Sequence, residues 1–343
     1  MSKFTALFVF LDLLAIFSLL TGIFTACLIL FILTRKYNRQ HAISDFLLAN
    51  TCVCTLELCV SNLIIYGFII ANDLTLNTPL TSLYDQQTLC PIRSYFLFTG
   101  FSLLYTSYCL QAFYRLRQVV FYKKCYGYKV FVYLCFIQWI FSFLLVSPML
   151  LTQSFVYLPT EFFCPIPFYK PLSVTYIAVT VYGVFIAIFA TAYFWIYLYA
   201  GRTTMITVKR RRIIDRQITM LKRMAWPTFG LIFLGIVYLI LFFQAIANQY
   251  RTHFLTYRLS YLFIAIGMSF IHSITIVQSP SLRTGILELF YILKGQVWTE
   301  EENLSSLSDT LNTTSQQMQR KEEQSATTDR LRNDIELMEQ ERN

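Results

Sequence analysis

Seven stretches of this chain are too long and too apolar to rest in water. They cover 5–34, 43–71, 94–121, 130–152, 172–200, 225–247 and 255–278. A hydrocarbon layer about 30 Å thick takes roughly 20 helical residues to cross, and every stretch reaches that length. Composition agrees, because charged residues make up 14% of the chain, against about 25% in a soluble domain. The first run starts almost at Met1, is too long for a signal peptide and has no small-residue cleavage site after it, so it reads as a signal-anchor span. The expected fold is an all-α membrane protein, a seven-transmembrane helix bundle.

Orientation follows from the basic residues. The loops after the first, third and fifth runs hold sixteen Lys and Arg, among them "KRRR" at 209–212, and the opposite side holds five. The positive-inside rule then places the N-terminus outside and the C-terminus in the cytoplasm. The overall charge of +9 is a difference between two regions: residues 1–298 carry 23 basic and 8 acidic side chains, while 299–343 carry 5 and 11. Loop cations beside anionic lipid account for the first excess. Membrane lipid is therefore the expected partner of the basic loops, and nucleic acid is not.

Nine cysteines occur, six of them inside apolar runs, where a free thiol behaves as a small hydrophobe. Cys125 falls in a cytoplasmic loop. Only Cys90 and Cys164 fall on the outer side, where disulfides persist. They form the one obvious pair, tying the 153–171 loop across the mouth of the bundle; two free thiols are the alternative. Arg115 lies 25 positions after Cys90, about 37 Å along a helix. Cys90 thus belongs at one membrane surface and Arg115 at the other, where an arginine can snorkel.

These spacings resemble those of a rhodopsin-like (class A) G-protein-coupled receptor. In that family a cysteine opens the third helix and bridges to the second extracellular loop, and an Asp-Arg-Tyr motif closes the helix. "AFYRLRQVV" puts Arg115 at the motif's arginine and Val119 at the aliphatic position four residues on. Trp139 and Pro148 in "QWIFSFLLVSP" resemble the fourth helix, and Leu48 and Ala49 in "SDFLLAN" the second. "SPSLRTGILELF" resembles the short amphipathic eighth helix, with Leu282, Ile286, Leu287 and 289–292 as its apolar side. The resemblance covers residues 5–293. It implies coupling to a heterotrimeric G protein through Arg115, Val119 and Tyr114, in the plasma membrane.

Several positions depart from the pattern. Tyr114 stands in place of the motif's acid and Leu116 in place of its tyrosine; Cys52 replaces the sodium-site Asp; His272 and Ser273 stand where Asn-Pro falls. Without the acid, Arg115 lacks its usual intrahelical partner, which implies raised basal activity or a different lock. Leu97 replaces the Asp of amine receptors, and 255–278 holds no Schiff-base lysine, so neither an amine receptor nor an opsin is expected.

Within the spans, Glu57 is a mid-membrane carboxyl and a functional candidate by default. With Leu97 and Phe101 on the third span it forms the candidate ligand set, for a peptide, lipid or small molecule. Asp12 is expected to meet water or a headgroup. Gln111, Gln138 and Gln244 read as interhelical hydrogen-bond donors, and His272 as a core histidine. No phosphate loop, metal-ligand spacing or nucleophile–base set is present, so neither an enzyme nor a cofactor is expected. A seven-helix ligand-gated channel or a transporter is the alternative class. "VKRRRIIDRQITMLKRMAWP" carries Ile213, Ile214, Ile218 and Leu221 at helical spacing and reads as an inner extension of the sixth span. The receptor domain is placed at 1–293 and a disordered cytoplasmic tail at 294–343. Ser and Thr at 305–315 follow three glutamates there, a stretch suited to receptor kinase and arrestin.

Overall fold

A computed structural model of the chain describes residues 3–37, 43–74, 88–118, 127–159, 162–202 and 256–293, with nine positions inside 229–247. The helices are α1 (Lys3–Tyr37), α2 (Ile43–Leu74), α3 (Cys90–Leu116), α4 (Tyr128–Leu151), α5 (Pro171–Ile177), α6 (Val184–Arg202), α7 (Thr256–Gln278) and α8 (Pro280–Leu293). A π-helical turn, Ala178–Gly183, joins α5 to α6 without a break. The described positions of 229–247 are all helical. No strand forms among the described residues; one isolated antiparallel bridge pairs Leu158 with Phe163.

Local chemistry places the helix ends. Pro91 lies in the first turn of α3 and Pro171 opens α5, positions where a missing N–H breaks no helical bond. Pro148 lies near the end of α4. Thr152 closes that helix, its hydroxyl donating to the Pro148 carbonyl at 2.8 Å, and Gln153 turns the chain with a φ of 49°. Within the helices, Ser and Thr hydroxyls donate back one turn, as Ser18 does to Leu14 and Thr106 to Ser102. In hydrocarbon this satisfies a hydroxyl that has no water to meet.

Five helical segments among the described residues are long and apolar enough to cross a membrane: Leu7–Arg35, Ile43–Asp73, Tyr128–Leu151, Pro171–Ala192 and Tyr257–Val277. The chain is thus a multi-pass membrane protein. Its outward faces carry large apolar groups such as Phe17, Phe24, Tyr133, Phe136 and Leu144. The third run forms a 27-residue helix yet is not among the five. Ser94, Thr99, Ser102, Thr106, Ser107 and Gln111 lower its apolarity, and all six are buried. Other helices surround α3, with α2, α4 and α6 packed along it and α1 packed on α2 and α7. Helix-facing positions can be polar where lipid-facing ones cannot.

The main core gathers α1, α2, α3, α6 and α7 with the 154–168 loop, through residues such as Leu19, Leu58, Leu97, Phe168, Val181 and Ala265. A second cluster joins Leu47, Tyr114, Phe131 and Cys135 at the Arg115 end of α3. α8 is helical, as its pattern implies, with Leu282 buried and Leu287 exposed. The described residues up to Thr284 form one compact unit, and those from Gly285 belong to a second. Val119, the 209–227 segment and the 294–343 tail lie outside the described residues.

Candidate functional site

One end of the bundle is closed by the loop after α4. Cys90 and Cys164 form a disulfide, with Cα atoms 5.7 Å apart across 74 positions. The loop folds back on itself: Val156 N donates to Pro165 O at 3.2 Å, and Leu158 N to Phe163 O at 3.0 Å. Its aromatic residues then insert toward α7. Phe168 stacks on Tyr257 at 5.0 Å, its amide donating to the Tyr257 hydroxyl at 3.1 Å. Phe163 meets Tyr261 edge-on, also at 5.0 Å. A tethered loop whose rings are buried is a plug between α3 and α7.

At the same end lies an ion cluster that the sequence reading missed. Arg258 of α7 places Nη1 3.1 Å from Asp12 Oδ2 of α1 and 2.8 Å from Asp73 Oδ2 of α2, and its Nη2 donates to Asp73 Oδ1 at 3.3 Å. The guanidinium also lies over the Phe8 ring. Arg258 and Asp12 side chains are 2% and 1% exposed, and Asp73 is 9% exposed. The expectation that Asp12 meets water or a headgroup is therefore corrected. The aspartate is buried, because three helices converge there and bring it an arginine 246 positions away. No local pattern announces a pair so distant. The available signal was an Asp and an Arg inside or beside apolar runs, where an ionised group needs a partner.

The middle of the bundle is knitted by amides and hydroxyls. Gln111 Nε2 donates to the Thr51 hydroxyl, which also contacts Ser107. Asn50 Nδ2 donates to Gln138 Oε1 at 3.1 Å, Gln138 Nε2 to Leu103 O at 3.0 Å, and Trp139 Nε1 to Asn50 Oδ1 at 3.3 Å. Gln111 and Gln138 thus bridge helices as read, whereas Gln244 is exposed. His272 is buried with Nδ1 2.9 Å from Met268 O.

The three candidate ligand residues are not equivalent. Leu97 and Phe101 are buried in the core, Phe101 beside Phe98 and Tyr182. Glu57 is half-buried at the α2–α3 contact. Its Oε1 accepts from Ser61 at 3.2 Å, while Oε2 lies where a Cβ on Gly100 would come within 2.2 Å. Gly100 therefore allows the carboxyl to lie against α3. Further along α2, Asn62 is buried with neither amide atom hydrogen-bonded among the described residues, and the Tyr66 hydroxyl is in the same state. Each such group costs about 1–3 kcal/mol while unpaired. A separate groove of about 580 Å3 lies between α3 and α6, lined by Cys109, Phe113, Leu116, Val184, Ile188 and Trp195 among others. It is apolar and takes in none of the candidate ligand residues.

At the opposite end of α3, Arg115 is buried, and Nη2 donates to Ser44 Oγ of α2 at 2.8 Å. Nη1 donates to Gln118 Oε1 at 3.4 Å, and Gln118 Nε2 donates to the Tyr114 hydroxyl at 2.6 Å. Tyr114 is itself buried, its ring edge-on to Phe131 of α4 at 5.2 Å. The hydroxyl of Ser44 and the amide of Gln118 thus stand around the guanidinium, and the tyrosine that replaces the motif's acid packs toward α4. Among the described residues no group of three or more His, Cys, Asp or Glu side chains could hold a metal. No family model matches the chain, and no curated protein matches it in sequence.

Proposed function

We propose that the chain is a seven-span receptor of the rhodopsin-like type, in the plasma membrane with its N-terminus outside. In this reading α3 and the 225–247 run are the two further spans. The ligand, a peptide, lipid or small molecule, enters under the disulfide-tethered plug. The Arg115 end faces the cytoplasm, where Arg115, Val119 and Tyr114 meet a heterotrimeric G protein and the Ser/Thr-rich tail serves a receptor kinase and arrestin.

One observation carries this reading. Arg115 is buried at the far end of the helix that Cys90 opens, and it is held to α2 through Ser44. The Ser44 bond ties this guanidinium to α2, and a shift of α2 against α3 breaks it. Such a shift is how a packed bundle passes a ligand signal across a membrane. The test is nucleotide exchange on a reconstituted G protein. The wild-type chain accelerates exchange, and Arg115→Ala, inserted at the same density, does not. Equal exchange by both chains would sink the assignment of Arg115.

A further inference from the structure

The disulfide end holds more buried polarity than its helices use. Asn62 is 0% exposed and Tyr66 2% exposed, and among the described residues nothing hydrogen-bonds the amide of one or the hydroxyl of the other. Tyr66 lies within electrostatic reach of both Asp12 and Arg258. Asn62, Tyr66 and Asp73 share one face of α2, being four and seven residues apart. That stripe is about 16 Å long at roughly 1.5 Å per residue, and it ends at the two aspartates that share Arg258.

The chemistry of the stripe selects what it can hold. Two carboxyl groups meet one guanidinium where solvent barely reaches, a cluster among the described residues that a second cation can join. An idle amide offers one acceptor and two donors at once, so it is matched by a group with both functions. We propose that the stripe is a ligand subsite for an elongated ω-amino amide. The ammonium shares Asp12 and Asp73 with Arg258, the chain runs past Tyr66, and the terminal amide pairs with Asn62. This rests on the receptor reading, whose ligand class it names, and it is tested without a G protein, so the two can fail separately.

The experiment melts the full chain in lipid nanodiscs against 6-aminohexanamide, with hexylamine and hexanamide as probes that each lack one end. A saturable rise in Tm is expected with 6-aminohexanamide, at concentrations where the other two give little. Asn62→Leu should weaken binding about 10- to 100-fold, while melting no lower than wild type without the probe. Tyr66→Phe, which keeps the ring's shape, should weaken it less. Three results would each overturn the proposal: no rise with the wild-type chain, an equal rise with hexylamine, or undiminished binding by Asn62→Leu. A lower Tm for unliganded Asn62→Leu would make the amide a structural group, through a bound water for instance, and would also overturn it.

Discussion

Replacing Arg258 by methionine removes the cation that, among the described residues, Asp12 and Asp73 share, while keeping the length of the side chain. Contacts at 2.8 and 3.1 Å, with side chains 9% exposed or less, mean that solvent screens the cluster little. Breaking a buried ion pair by deleting one partner costs about 3–5 kcal/mol, because the remaining charge has no partner. Here two carboxyl groups are left facing each other, and the loss for Arg258→Met falls within that range. For a chain of this size that is a fall in melting temperature of roughly 6–15 °C. Removing the stranded charges should reverse most of it, so Arg258→Met with Asp12→Asn and Asp73→Asn should melt well above the single variant. The assay is thermal unfolding in detergent, followed by exposure of a buried cysteine such as Cys59, which lies in the main core. If Arg258→Met melts with the wild type, or the triple variant melts no higher than the single one, the cluster is not the clamp described.

Cys90→Ser and Cys164→Ser should each lower stability by about 2–5 kcal/mol, and the double variant by no more than either, as measured in the same unfolding assay. Gly100→Ala should destabilise by about 1–3 kcal/mol through the clash of its Cβ with Glu57 and Leu58. Glu57→Ala should recover part of that loss, and strict additivity of the two changes would refute the contact. Ser44→Ala deletes a charge-assisted hydrogen bond worth about 1.5–3 kcal/mol. If that bond belongs to the resting arrangement, ligand-free nucleotide exchange rises about 10- to 100-fold at most; unchanged or lowered exchange would show that Ser44 does not hold the switch.

Much of the architecture was legible in the sequence because lipid imposes it. A chain crossing hydrocarbon must form its own backbone hydrogen bonds, so α1, α2, α4 and α7 follow from run length alone. The Cys90–Cys164 bridge was legible because the orientation expected from the basic loops leaves no other cysteine on that side. What escaped is what depends on which helix faces which. Asp12, Asp73 and Arg258 lie on three different helices, and nothing local to any of them states that they converge. Arg115 shows the same limit in reverse. Its position was readable from its distance to Cys90, while its hold on Ser44 of α2 depends on how two helices pack. α3 was read as one more apolar span, yet its polar residues report that protein rather than lipid surrounds it.

In the proposed receptor, the Arg115 end of this bundle drives a G protein. The most direct measurement is the rate of nucleotide exchange on a purified heterotrimer mixed with the full chain in nanodiscs, compared with Arg115→Ala at matched folding and density. Acceleration by the wild-type chain is expected, with a return to the rate of the heterotrimer alone for the variant. Exchange left unaccelerated by the wild type across every G-protein class, or accelerated equally by Arg115→Ala, would contradict it.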